Sequence, residues 1–90
     1  MTGEVHRRAN DYEITVDGRH AGLTAFEEEP GVVVFTHTEI DDAFEGRGVG
    51  SELARGALDD VRARGLRVKP VCSFIRGWIE RHPDYQDLVR

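Results

Sequence analysis

The segment Glu45-Gly46-Arg47-Gly48-Val49-Gly50-Ser51 restricts the folds open to this chain more than any other, because of what flanks it. Before it, the run from Gly31 to Ile40 begins as Val32-Val33-Val34-Phe35, the mark of a strand covered on both faces, and turns polar through Thr36-His37-Thr38-Glu39. After it, Leu53, Ala54, Ala57, Leu58 and Val61 recur at helical spacing, with Arg55, Asp59, Asp60, Arg62 and Arg64 on the opposite side and Gly65 as the stop. A glycine-rich loop between a buried strand and a helix N-terminus is a place where free backbone N–H groups and the helix dipole favour an anion. Three alternating glycines cost roughly 0.5–1 kcal/mol each relative to Ala in regular structure, which makes a merely flexible helix entry the poorer reading and pyrophosphate binding the better. The spacing excludes two familiar phosphate loops. Counted from Gly46 the sixth position is Ser51, so the dinucleotide fingerprint fails, and Gly50 runs into Ser51 without the lysine of a Walker A loop.

The rest of the chain supplies a small sheet and a second helix. Tyr12 to Val16 alternates, Asp17-Gly18 provides the positive φ values of a tight turn, and His20 to Phe26 follows, so the two strands form an antiparallel hairpin. Glu27 to Gly31 reads as a polar turn. A short strand is expected over Leu66 to Cys72, with Pro70 at an edge or exit, and then a helix capped by Ser73 that buries Phe74, Ile75, Trp78 and Ile79 and stops at Pro83. Tyr85, Leu88 and Val89 suit a short docked turn. The expected order is three strands, helix, strand, helix, an α+β domain spanning residues 1–90 around one core.

Composition narrows the partners. The 90 residues carry a net charge of −5, which argues against nucleic acid, whose phosphates demand a cationic surface. The charge is uneven: residues 27–45 hold seven acidic residues and no Lys or Arg. One cysteine, Cys72, permits no internal disulfide, and the chain shows neither a signal peptide nor an apolar run long enough for a membrane span, so a cytoplasmic protein with no membrane association is expected. No pair of His or Cys residues has a metal-typical local spacing, so no metal is expected.

Several patterns taken in order, Thr36-His37-Thr38-Glu39, Gly46 to Gly50, Pro70-x-Cys72-x-Phe74 and His82-Pro83-x-Tyr85, resemble the GNAT superfamily of N-acetyltransferases, in its short YjdJ-type branch. The resemblance runs from about Ile14 to Val89. It implies a minimal GNAT-like fold, a mostly antiparallel twisted sheet with a βαβ acyl-CoA-binding unit. It also implies acetyl-CoA as co-substrate, held at Ile40, Glu45, Gly46, Arg47, Gly48, Val49, Gly50 and Ser51, with its acetyl group passed to an amine. Glu45 replaces the Gln or Arg that the family's loop carries there, which implies weakened rather than abolished binding. The tight hairpin leaves no room for the two helices that most members insert between their first strands, implying an open acceptor side and a monomer or weak homodimer.

By the same resemblance the strands 32–40 and 66–72 splay apart around the pantetheine arm, with His37 and Cys72 flanking the gap. Cys72 precedes a helix N-terminus, where a thiolate is favoured, and reads equally as an acetyl-accepting nucleophile and as a core residue. His37 and Glu39 fall, by strict alternation, on one face with Val33 and Phe35. His37 is the first choice of general base because histidine titrates nearest neutrality, and Glu39 acting through a water is the second. His82 reads as a helix-end residue and Tyr85 as a docked aromatic. The alternative to an enzyme is a non-catalytic acyl-CoA-binding or protein-interaction module on the same fold.

Overall fold

A computed structural model describes residues 3–89. Five strands form one sheet in sequence order: β1 (Gly3–Arg7), β2 (Asp11–Val16), β3 (Arg19–Glu29), β4 (Val32–Ile40) and β5 (Arg67–Pro70). The first four pair antiparallel and β5 lies parallel to β4, so α1 (Val49–Ala63) is the crossover of a βαβ unit. Helix α2 (Ser73–Glu80) and a 3-10 segment (Pro83–Val89) complete the chain. No helix among the described residues is long and apolar enough to cross a membrane.

The hairpin forms where the sequence demands it: Asp17 (φ 51°) and Gly18 (φ 82°) both take the left-handed conformation that matches the twist of the flanking strands. Helix α1 ends as expected at Gly65 (φ 71°), where the Leu66 N–H reaches back to the Val61 carbonyl and the Gly65 N–H to that of Arg62. Its apolar stripe, Val49, Leu53, Ala54, Ala57, Leu58 and Val61, packs with Tyr12, Ile14, Val16, Phe26, Val33 and Phe35 of the sheet and with Ile75, Trp78 and Ile79 of α2 into one core.

Four expectations are corrected. Strand β1 is additional, and it escapes the sequence pattern because Val5 alone of its side chains joins the core, against Gly56 of α1. The turn after β3 is shorter than Glu27 to Gly31, since Glu27, Glu28 and Glu29 are exposed yet paired with Val34, Val33 and Val32. Cys72, not Ser73, occupies the N-cap of α2, and its side chain makes no capping bond. Phe74 is only half-buried, for a reason that belongs to the cleft described next.

Candidate active site

After β4 the chain bends through Asp41, whose carboxylate accepts the Ala43 N–H at 2.9 Å, and a single 3-10 turn buries Phe44. Gly46 (φ 77°) and Gly48 (φ 76°) then take left-handed backbone that side chains resist. Gly48 is the N-cap of α1 and brings no side chain, so nothing caps the N–H groups of Val49, Gly50 and Ser51 at the positive end of the helix dipole. Gly50 serves a different purpose. A Cβ there would stand 2.8 Å from Phe74 Cζ and 3.7 Å from Ile40, so this glycine admits the Phe74 ring to the head of α1.

The loop forms one wall of a cleft of about 400 Å³, with Ile40, Phe44, Glu45, Gly46 and Gly48 to Ser51 on that side. The other wall is one stripe of α2 and its end: Phe74, Trp78, Arg81 and His82. The indole N–H of Trp78 donates to Ser51 Oγ at 2.9 Å and ties this wall to the head of α1. His82 stacks on Trp78 with ring centroids 3.7 Å apart, and its Nδ1 lies 2.6 Å from the Trp78 carbonyl. Tyr85 meets Trp78 edge-on, donates to Asp59 at 2.7 Å and accepts from Arg55 at 3.2 Å. Burial, and then Asp59, push its pKa up, so the phenol is a fixed anchor beneath the wall.

Beside the cleft, β5 leaves β4. Pairing ends at Phe35 with Pro70, the Cys72 N–H donates to the Phe35 carbonyl at 2.8 Å, and the chain turns into α2. From Thr36 to Ile40, β4 is paired with β3 alone. Its register there shifts: Phe26 faces Phe35 but Ala25 faces His37, so Thr36 is an extra residue in a β-bulge. The shift corrects the strict alternation expected from sequence. Val33 and Phe35 point into the core, whereas His37 and Glu39 point out, both exposed, with His37 Nε2 3.2 Å from a Glu39 carboxylate oxygen. Thr38 now faces inward, 2.9 Å from Thr24 Oγ1 and 3.1 Å from Cys72 Sγ, and Cys72 is 8% exposed.

A family model described as GCN5-related N-acetyl-transferase matches residues 11–88. The chain belongs to this family. Among curated relatives, Protein NATD1 of Bos taurus is 34% identical over 89 residues, covering 97% of this chain and 79% of its own. The Homo sapiens NATD1 is 33% identical with the same coverage. A GCN5-like protein from Staphylococcus aureus, solved by NMR, superposes with a TM-score of 0.75 at 22% identity over 97% of this chain and 87% of its own. The crystal structure of the ribosomal-protein-S18-alanine N-acetyltransferase from Escherichia coli gives 0.67 at 13% identity over 83% and 53%. The two structures share the GNAT fold expected here.

In this GCN5-related chain, Ile40, Glu45, Gly46, Gly48, Val49, Gly50 and Ser51 meet at one cleft. Arg47 is exposed, lines no part of that cleft and forms no ion pair with Glu45. Cys72 sits beside Thr38 at the unpaired edge of β4, and His37 with Glu39 lies on the strand's other face. Sequence reasoning missed Arg81, Thr38 and the lining roles of Phe74, Trp78 and His82. One signal for them was present: Phe74, Trp78, Arg81 and His82 follow one another at helical spacing on a face distinct from Ile75 and Ile79.

Proposed function

We propose that this chain is an N-acetyltransferase that draws its acetyl group from acetyl-CoA and passes it to an amine. The observation that carries the reading is the uncapped head of α1 opening into the cleft, where the N–H groups of Val49, Gly50 and Ser51 suit a diphosphate. From there the unpaired edge of β4, residues 36–40, offers backbone N–H and C=O groups to the amides of a pantetheine arm. The arm's thioester then lies between Cys72 on one face of the strand and His37 with Glu39 on the other.

The transfer we favour runs through Cys72. The Cys72 sulfur attacks the thioester carbonyl, the C–S bond to CoA breaks, and the proton of the Cys72 thiol passes to the departing CoA sulfur. The amine then attacks the acetyl-cysteine, the new C–N bond forms and its surplus proton passes to His37 held by Glu39; as the C–S bond to Cys72 breaks, the Cys72 thiolate regains that proton by way of solvent. A working free thiol suits a reducing compartment such as the cytoplasm.

Calorimetric titration with acetyl-CoA and with CoA tests the donor. Saturable binding that weakens with salt and with Gly48→Val supports the reading, and no binding by the wild type overturns it. Incubation with acetyl-CoA should add one acetyl group to the protein mass and fail to do so in Cys72→Ser. Turnover without an adduct would replace the cysteine route by direct attack. Binding without turnover on any amine would leave an acyl-CoA-binding module.

A further inference from the structure

Two side chains of the cleft have no part in the chemistry above. Arg81 and His82 end the α2 wall, just past the last helical residue, Glu80. Arg81 is exposed, is the only Lys or Arg lining the cleft, and has no carboxylate within ion-pair distance among the described residues. His82 is fixed twice, by its stack on Trp78 and by Nδ1. A carbonyl can only accept, so Nδ1 carries the proton shared with Trp78, and Nε2 is the ring nitrogen left for a ligand.

The order of groups along the cleft is directional. Ile40 and Phe74 make an apolar end against Gly50, the N–H groups at the head of α1 lie beside Ser51 and Trp78, and Arg81 and His82 stand at the far end. Phe74 and His82 are eight residues apart, about 12 Å at the rise of a helix. Apolar surface, N–H donors, then cation is also the order of an acyl-CoA: pantetheine arm, diphosphate, and a ribose bearing a separate 3′-phosphate. We infer that Arg81 and His82 form a second anion subsite, which receives the 3′-phosphate and makes the chain select coenzyme A over its 3′-dephospho form. The inference rests on the acetyl-CoA reading. Arg81 supplies the permanent charge and a fork of donors matched to phosphate oxygens, and His82 adds a ring nitrogen whose position costs nothing further to fix. Glu45 lines the same cleft, and a dianion is driven from it toward Arg81.

The test is a pair of titrations, with acetyl-CoA and with 3′-dephospho-acetyl-CoA. Wild type should prefer acetyl-CoA by about tenfold or more, the size of a charge-assisted hydrogen bond. Arg81→Gln should bring the ratio close to one by weakening acetyl-CoA far more than the dephospho compound, and Arg81→Lys should restore part of it. His82→Phe, which keeps an aromatic stack but removes both ring nitrogens, should lower the ratio less. Equal affinities in the wild type, or an unchanged ratio in Arg81→Gln, would overturn the subsite and leave acetyl-CoA binding standing. Failure of both compounds to bind would remove both readings.

Discussion

The two halves of β4 share one strand and do opposite things. From Val32 to Phe35 it is flanked by β3 on one side and β5 on the other, and Phe35 closes an aromatic cluster with Tyr12 at 6.1 Å and Phe26 at 6.3 Å. From Thr36 to Ile40 it keeps β3 alone, and in place of rings its inward-facing Thr38 links Thr24 of β3 to Cys72 ahead of α2. One extra residue, Thr36, divides them. The bulge inverts the pleat, so that the fold is held by the first half and the second is free to present polar groups at an open edge. The candidate site is the part of a core strand from which a neighbour has been withdrawn.

The widest separation between the halves should appear on truncation. Phe35→Ala is expected to cost about 3–5 kcal/mol. That is much of the roughly 5–13 kcal/mol that a domain of this length commands. His37→Ala, two residues on and exposed, should stay within about 0.5 kcal/mol in the same urea titration. Its loss should appear in turnover instead. Equal costs for the two would break the division of the strand.

Thr38→Val should fall between them. The substitution keeps the shape of the side chain but removes the hydroxyl bonded to both Thr24 and Cys72, and the Thr24 hydroxyl is buried with no other bond among the described residues. A buried hydroxyl left unpaired costs about 1–3 kcal/mol. Thr38→Ser should recover most of it. A neutral Thr38→Val would mean that the polar chain holds nothing.

The same division explains what the sequence could disclose. Features set by a residue's own backbone were legible: Asp17-Gly18 and Gly65 need positive φ, and the α1 stripe repeats at its own period. Features set by a distant partner were not. The bulge at Thr36 exists only against Ala25 and Phe26, so alternation placed His37 and Glu39 on the wrong face. Gly50 reads as a loop residue until Phe74 is seen against it, and the strand at Gly3–Arg7 has too few inward residues to show a period. Arg81 and His82 continue the Phe74 and Trp78 face at helical spacing, but that face shows itself as a cleft wall only once α1 stands opposite it.

At neutral pH the smallest effect belongs to a proton that the paired half holds tightly. Tyr12 packs on Phe35 and donates to Asp60 at 2.6 Å. Burial first, and then the Asp60 bond, push its pKa up to about 12, against the opposing pull of Arg64. The unfolded chain releases this proton near the ordinary tyrosine value of 10, so between the two the native state binds more protons than the unfolded. The contribution of Tyr12 is therefore fully present below pH 10, declines as pH rises, and is gone above the folded value. Tyr85, raised in the same direction beneath the α2 wall, adds a decline of its own. Urea midpoints measured from neutral pH upward should fall less steeply in Tyr12→Phe than in the wild type. If Tyr85→Phe flattened the curve instead, the alkaline weak point would lie under the cleft wall, and the paired half of β4 would no longer be the part of the scaffold that gives way first.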